Sequence, residues 1–223
     1  MDVTIITANQ KWVWFIIQGA GTTLANALLP LFFATIFGTI LAIVQINNRK
    51  GVFYYLTRCY LSIIRGTPLI LQLSICYYLV PNLINFDISS FNACLIALSL
   101  NSAAYMSEVI RSGIQSVDRG QFEAAKSLGV PYYQMMIDII LPQALNNVLP
   151  ALINEAINLI KETAIIGIIG EMDIMRRAQI IAAEQYNYFG PLLVAGGTYY
   201  ILVLILTLAS TKLEYKLKHR YSK

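Results

Sequence analysis

Long apolar runs separated by short polar breaks dominate this chain, and the runs are too long for strands or ordinary buried helices. No charged residue occurs between Lys11 and Arg49. A bilayer core needs roughly 20 mainly apolar residues per crossing helix. The pattern predicts a short interfacial helix carrying Trp12 and Trp14, then a span from Gly19 to Val44. A second span is expected over Arg65 to Leu83, preceded by a partly interfacial helix from Val52. Further spans are expected over Ile88 to Ile110, Met135 to Ile160 and Pro191 to Ser210. The run Ala164 to Gly170 is too short to cross and reads as a re-entrant or packed segment. The expected fold is therefore an all-α integral membrane protein with five transmembrane helices, forming one domain over residues 1–223.

Composition selects the same class. Charged residues make up only 13% of the 223 residues and hydrophobic ones 57%, where a soluble domain carries about 25% charged residues. Cys59, Cys76 and Cys94 are odd in number, lie in or beside apolar runs and lack metal-ligand spacing, so they are expected to pack as small hydrophobes. The first ten residues carry no positive charge and the apolar run that follows is too long for the core of a cleaved leader, so none is expected there.

Basic residues set the expected orientation. With the C-terminus inside, twelve Lys and Arg fall on inner segments, including Arg49, Lys50, Arg58, Arg65, Arg111, Arg119, Lys126 and the tail from Lys212. Only four, Lys11, Lys161, Arg176 and Arg177, fall outside. The N-terminus is thus expected outside and the C-terminus inside, with the basic tail anchoring at anionic membrane lipid. Its His219 is the one histidine of the chain.

The main polar interruption, about residues 116–134, sits on the inner side and ends in Glu123-Ala-Ala-Lys-Ser-Leu-Gly129-Val-Pro131. Asp118 and Gln121 have capping-box spacing, Gly129 suits a left-handed helix stop, and Pro131 suits the first position of a second helix. A helix, a sharp turn and another helix make a stiff knob, with Ala124 and Ala125 keeping its surface flat and Glu123 offering a charge to a partner.

Glu123-Ala124-Ala125, Gly129, Ile139, Leu141 and Pro142 resemble the conserved cytoplasmic "EAA" loop of ABC-importer permeases. Arg65-Gly66-Thr67-Pro68-Leu69 with Gln72 resembles the polar amino-acid uptake branch of that family. So does Tyr105 to Arg111, leading into Gly113-Ile114 and Gly120-Gln121, and so does Pro150 through Asn154 to Lys161-Glu162-Thr163. The resemblance covers about Gly19 to Ser210; Thr163-Ala164 departs from the usual Thr-Ser. It implies coupling to an ATPase through Glu123, Ala124, Ala125, Leu128, Gly129 and Pro142. It also implies a second permease copy or a paralogue, and a periplasmic or lipid-anchored amino-acid-binding protein at a bacterial inner membrane. No phosphate-cradling G-x-x-x-x-G-K-[ST] pattern is present, so ATP and Mg are expected on separate ATPase subunits and no cofactor on this chain. No catalytic triad pattern is present, so an enzyme is not expected, and nothing points to nucleic acid.

Intramembrane polar residues are costly and tend to face the bundle interior or a water-filled cavity. In the fourth span Gln143, Asn147, Asn154, Asn158 and Lys161 recur at spacings of four, seven, four and three, one narrow helical stripe flanked by Glu155 and Glu162. In the third span Asn101, Tyr105 and Glu108 form another. Two such stripes on neighbouring helices would line a path for an amino acid, and the substrate-binding candidates are Asn101, Glu108, Asn154, Glu155, Asn158 and Lys161. Asparagines that merely hold helices together are the alternative. The carboxylates favour a cationic or glutamine-like substrate, with Glu155 as the discriminator of side-chain charge, while Arg65 is expected to anchor the second span at the inner interface. An ion- or proton-coupled secondary amino-acid transporter and a non-transporting membrane scaffold are the competing classes; the first usually shows internal repeats and more spans, and this sequence shows neither.

The orientation is open to a direct test. With the native cysteines removed, a cysteine at Asn82 or Asp87 is expected to react with an impermeant thiol reagent from outside, and one at Ser127 is not. The opposite labelling would invert the topology.

Overall fold

The computed structural model describes residues 3–47 and 51–221, with side chains described over 11–47 and 51–212. Among them the chain is helical without strands: α1 (Val3–Asn47), α2 (Val52–Gly66), α3 (Leu69–Ile84), α4 (Ser90–Gln115), α5 (Arg119–Ser127), α6 (Tyr132–Ile169), α7 (Ile174–Glu184) and α8 (Phe189–Tyr221). Among the described residues four helices are long and apolar enough to cross a membrane, or five if the bent pair α2–α3 counts as one span. Arg49, Lys50 and Lys223 lie outside the described residues, as do the side chains of Lys216, Lys218, His219 and Arg220.

Two expectations are corrected. No separate interfacial helix precedes the first span, because α1 runs unbroken through Trp12, Trp14 and Gly19. In an apolar medium a break would strand backbone N–H and C=O groups, so the helix continues. The 37 residues from Lys11 to Asn47 rise about 55 Å at 1.5 Å per residue, well beyond the ~30 Å core. The second span, secondly, does not start at Arg65: α2 ends at Gly66 and α3 leaves at 105°.

That bend has a local cause. Thr67, preceding a proline, is pushed into extended backbone (φ −123°, ψ 146°), and Pro68 has no N–H to continue the ladder. The carbonyls orphaned at the end of α2 need donors. The Gln72 Nε2 amide supplies them, donating to Ile64 O at 2.8 Å, Thr67 O at 3.1 Å and Thr67 Oγ1 at 2.9 Å. Two further prolines, Pro81 and Pro142, each follow one wide π-type turn, Ile75–Leu79 and Met135–Ile140. The wide turn makes room for a ring that would otherwise strike the carbonyl four residues back.

α4 is the central helix. Ala34 and Ala42 of α1 are fully buried and Gly38 between them is buried, and Ala34 packs with Ala103 and Met106 of α4. A Cβ added at Gly38 would lie 2.6 Å from Met106 Cβ. On another side of α4, a Cβ at Gly113 would lie 1.9 Å from Val148 Cγ2 of α6. The segment Thr163–Ile169 ends α6 as a tighter 3₁₀ helix stopped by Gly170 (φ 91°), and Ile166 and Ile169 enter the core. It is packed, one of the two expected forms.

α7 is bolted to both long terminal helices. Asp173, fully buried, caps α7 by accepting from Met175 N at 3.1 Å and Arg176 N at 2.9 Å, and also accepts from Tyr199 Oη of α8 at 2.9 Å. Burial pushes the Asp173 carboxyl above its ordinary range, against these hydrogen bonds that draw it down. Arg177 lies 4.7 Å from the Phe15 ring centroid and donates to Phe15 O at 3.1 Å.

At Gly19 α1 meets the start of α7 so closely that an added Cβ would lie 2.6 Å from Ile174 N, whereas Gly21 has open space. Gly19→Ala is therefore expected to cost about 1–3 kcal/mol of overpacking strain and to lower the melting temperature in detergent. Gly21→Ala is expected to leave it unchanged or slightly raised.

Candidate functional site

The polar loop between α4 and α6 folds into the stiff knob its sequence suggests. Asp118 Oδ1 accepts from Gly120 N at 2.6 Å and starts α5. At the other end Gly129 (φ 71°) is left-handed; its N–H donates to Lys126 O and that of Val130 to Ala125 O, each at 3.0 Å. This pair of bonds closes the helix with a Schellman motif, which a residue bearing a Cβ adopts only under strain. Pro131 stands just before the next helix, at its N-cap, one residue earlier than expected.

The two alanines divide their roles. Ala125 is 3% exposed and packs with Ile114, Val117, Met135, Ile140 and Ala144, so it roots the knob rather than flattening its surface. Ala124 and Glu123 are exposed, and Leu128 stands out at 82% exposure beside an exposed Tyr133. The Tyr132 hydroxyl donates to Asn47 Oδ1 at 3.1 Å, tying the knob to the end of α1. Half-buried Pro142 shapes the root of α6 through the wide turn before it.

The two polar stripes do not face each other. On α6 Gln143, Asn147, Asn154, Asn158 and Lys161 are all exposed, while Ala144, Val148, Leu159 and Ile160 of the same helix are buried. Asn147 Nδ2 donates to Ser116 Oγ at 2.9 Å. Half-buried Glu155 lies beside Ser102 of α4, whose hydroxyl makes no hydrogen bond of full geometry. The α4 stripe points instead toward α2 and α3: buried Asn101 donates to Gln72 Oε1 at 2.9 Å, and Tyr105 stacks under Arg65, 5.8 Å from guanidinium carbon to ring centroid. The reason is angular, since the α4 residues that meet α6, such as Ser102 and Gly113, lie on a different face of the helix.

Glu108 and Tyr105 open into a cleft of about 860 Å³ formed with Gln45, Arg58, Arg65 and Arg111 among others. Arg111 clasps Glu108 with Nε and Nη2 and gives Nη1 to Gln115 Oε1 at 2.6 Å. This is the one salt bridge among the described residues. Sequence reading missed the cleft's α2 wall; Arg58 and Arg65, seven residues apart and so on one helix face, were the available signal. It also missed the roles of Gln72 and Asp173.

Residues 34–219 match the family described as binding-protein-dependent transport system inner membrane component. The chain belongs to this family. It is 49% identical over 205 residues to a putative glutamine transport system permease protein of Rickettsia typhi, covering 92% of this chain and 94% of that one. It is 48% identical over 204 residues to an arginine transport system permease protein of Bacillus subtilis, covering 92% and 93%. A crystal structure of an amino acid ABC transporter with histidines superposes with a TM-score of 0.86 at 35% identity, covering 97% of this chain and 99% of that one. An inward-facing methionine ABC transporter shares the fold, with a TM-score of 0.79 at 20% identity over 92% and 96%. The chain is thus a membrane-spanning transport permease of ABC type.

Within this permease Asn101 acts as a brace, holding the amide that satisfies the α2–α3 bend. Asn101→Ala leaves the buried Gln72 Oε1 unpaired and is expected to cost about 1–3 kcal/mol of stability. The melting temperature should fall while the order of preference among transported amino acids stays the same; a changed order would place Asn101 on the substrate path.

Proposed function

We propose that this permease carries a polar amino acid, cationic or glutamine-like, across a bacterial inner membrane, driven by a separate ATPase that docks on the α5 knob. ATP and Mg belong to that ATPase, this chain contributing no cofactor site. The observation that carries the reading is the knob itself: a short helix stopped at both ends, rooted by Ala125 and presenting Leu128, Tyr133 and Glu123 outward. A stiff projection transmits a displacement, whereas a floppy loop absorbs it. Glu123, Ala124 and Leu128 form the surface a partner's groove would cover; Ala125, Gly129 and Pro142 hold it in shape.

A second copy of the chain, or a paralogue, covers the exposed face of α6. Gln143, Asn147, Asn154, Asn158 and Lys161 are too polar to face lipid in the absence of a partner or water-filled path. Their placement together supports Asn154, Asn158 and Lys161 as one wall of that path, with half-buried Glu155 at its edge beside Ser102 of α4. A binding protein delivers the amino acid from the outer side, and the relatives named for glutamine and arginine support these two side-chain classes. The knob faces the cytoplasm in this reading, with the N-terminus outside.

Glu123→Lys, Leu128→Asp and Gly129→Pro are each expected to abolish uptake and substrate-stimulated ATP hydrolysis together in liposomes, while the chain still inserts. Glu123→Lys and Leu128→Asp alter only exposed side chains, so loss of folding does not explain their effect. Uptake at the wild-type rate in a well-expressed Leu128→Asp variant would remove the knob from the mechanism.

A further inference from the structure

At the end of the molecule away from the knob, the loop between α6 and α7 carries two acids into a buried setting beside Ile169 and Ile174. Glu171 meets Asn26 of α1 and Ser90 of α4, and Asp173 meets Tyr199 of α8. Asn26 is 1% exposed and Asp173 fully buried; Glu171 is half-buried. Both carboxylates lie within electrostatic reach of the buried Cys94 of α4, so they act on one small region.

The negative charge there has no partner of opposite sign. Among the described residues no basic side chain lies within salt-bridge distance of either acid. Arg177 commits its donors to Met172 O and Phe15 O, and Arg176 is exposed. Asp173 is at least well supplied with hydrogen bonds, from α7 and from Tyr199. Glu171 is not: Oε1 accepts from Ser90 Oγ at 2.6 Å, whereas Oε2 has only the Asn26 amide nitrogen at 3.5 Å. That amide is half satisfied in turn. Its Nδ2 also donates to Thr22 O at 3.1 Å, while the buried Oδ1 has no hydrogen-bond partner among the described residues.

Uncompensated carboxylate charge beside an orphaned amide oxygen favours a cation. A half-turn of the Asn26 amide exchanges its oxygen and nitrogen. Oδ1 then stands beside Thr22 O and Glu171 Oε2, at the 3.1 and 3.5 Å that Nδ2 now has. These spacings are the edges of a coordination shell. Ligands at right angles around an ion with bonds of about 2.3–2.6 Å, the range of Ca²⁺, lie about 3.3–3.7 Å apart. Bonds of about 2.0–2.1 Å, the range of Mg²⁺, bring them to about 2.9 Å. Sodium has nearly the size of calcium and half its charge, and potassium is larger. One ligating carboxylate with two neutral oxygens suits the smaller charge. No group of three His, Cys, Asp or Glu placed to hold a metal ion occurs among the described residues, which sets aside a transition metal and a calcium cage.

We infer that Thr22 O, Asn26 Oδ1 and Glu171 Oε2 form a binding site for a sodium ion, with Asp173 adding negative potential and water completing the shell on the side of exposed Gly170 and Met172. The ion ties α1 to the loop before α7 and, through Ser90, to the start of α4. The site stands whether or not the importer reading does.

The test uses the full-length permease in detergent, with choline chloride as the sodium-free reference. At constant ionic strength, replacing choline by about 100 mM sodium is expected to raise the melting temperature by about 3 °C or more. Potassium should need about tenfold more to give the same rise, and radiolabelled sodium should saturate at one ion per chain. Glu171→Gln keeps an acceptor for Ser90 but removes the charge at the ion; it should weaken sodium binding by about tenfold or more and erase the rise. Asn26→Asp supplies a second ligating carboxylate and should raise calcium affinity by about tenfold or more. Glu184→Gln, an exposed acid of α7 outside the cluster, should leave sodium binding unchanged.

Equal melting temperatures in sodium and choline, with no bound radiolabel, overturn the proposal and leave a bridging water as the occupant. A rise of the same size in potassium overturns it as non-specific, and tighter binding of calcium than of sodium by the wild type overturns the choice of ion. Glu171→Gln binding sodium like wild type removes the site from this cluster. Where Glu171→Gln is not monodisperse, Asn26→Asp decides, and an unchanged calcium affinity there sinks the proposal.

Discussion

Close approach of helix backbones at small residues is the constraint on which this structure depends. Lipid tails are as apolar as leucine, so helices in a bilayer gain little by burying apolar side chains against one another and associate through tight packing instead. α1 comes against α4 at Ala34 and Gly38, and α6 against α4 at Gly113, and at both glycines the distances leave no room for a Cβ. α4 is thereby clasped from two sides, and only the angular sectors left over, those of Asn101, Tyr105 and Glu108, are free to face α2 and α3. The location of the cleft follows from where the small residues are not.

Prolines then shape what the seams hold. Pro68 turns one apolar stretch into two helices at 105°, and its cost in orphaned carbonyls falls to a single glutamine, itself held by Asn101. Pro81 and Pro142 are absorbed more gently, each by one wide turn. Identical residues thus bend a helix or merely loosen it, depending on whether the residue before the ring is forced into extended backbone or stays helical.

Much of this architecture is legible in the amino-acid order. Apolar run length locates the spans, because the bilayer imposes a length; Asp118 and Gly129 mark the knob, because helix ends leave unpaired groups that few residues can serve. The unbroken α1 was less legible: Gly19 reads as a break until its neighbour, the backbone of Ile174, is known. The two polar stripes were found correctly on their own helices, yet their mutual orientation depends on which face of α4 meets α6, and periodicity within one helix carries no information about the next. Arg58 and Arg65 were visible as basic residues that report membrane sidedness, but that they line one wall of a cleft was not. Ala125 shows the reverse error, a small residue read as surface that the fold uses as a root.

The hydroxyl of Tyr132 on Asn47 gives the knob a second attachment. A load applied at Leu128 reaches α4 through the chain and the far end of α1 through this bond, and those two helices are zipped along their length. They cannot shear past each other without separating backbones in van der Waals contact. The pair is thereby held as one packed unit with two attachments to the knob at one end, and at the opposite end α7 fastens it to α8.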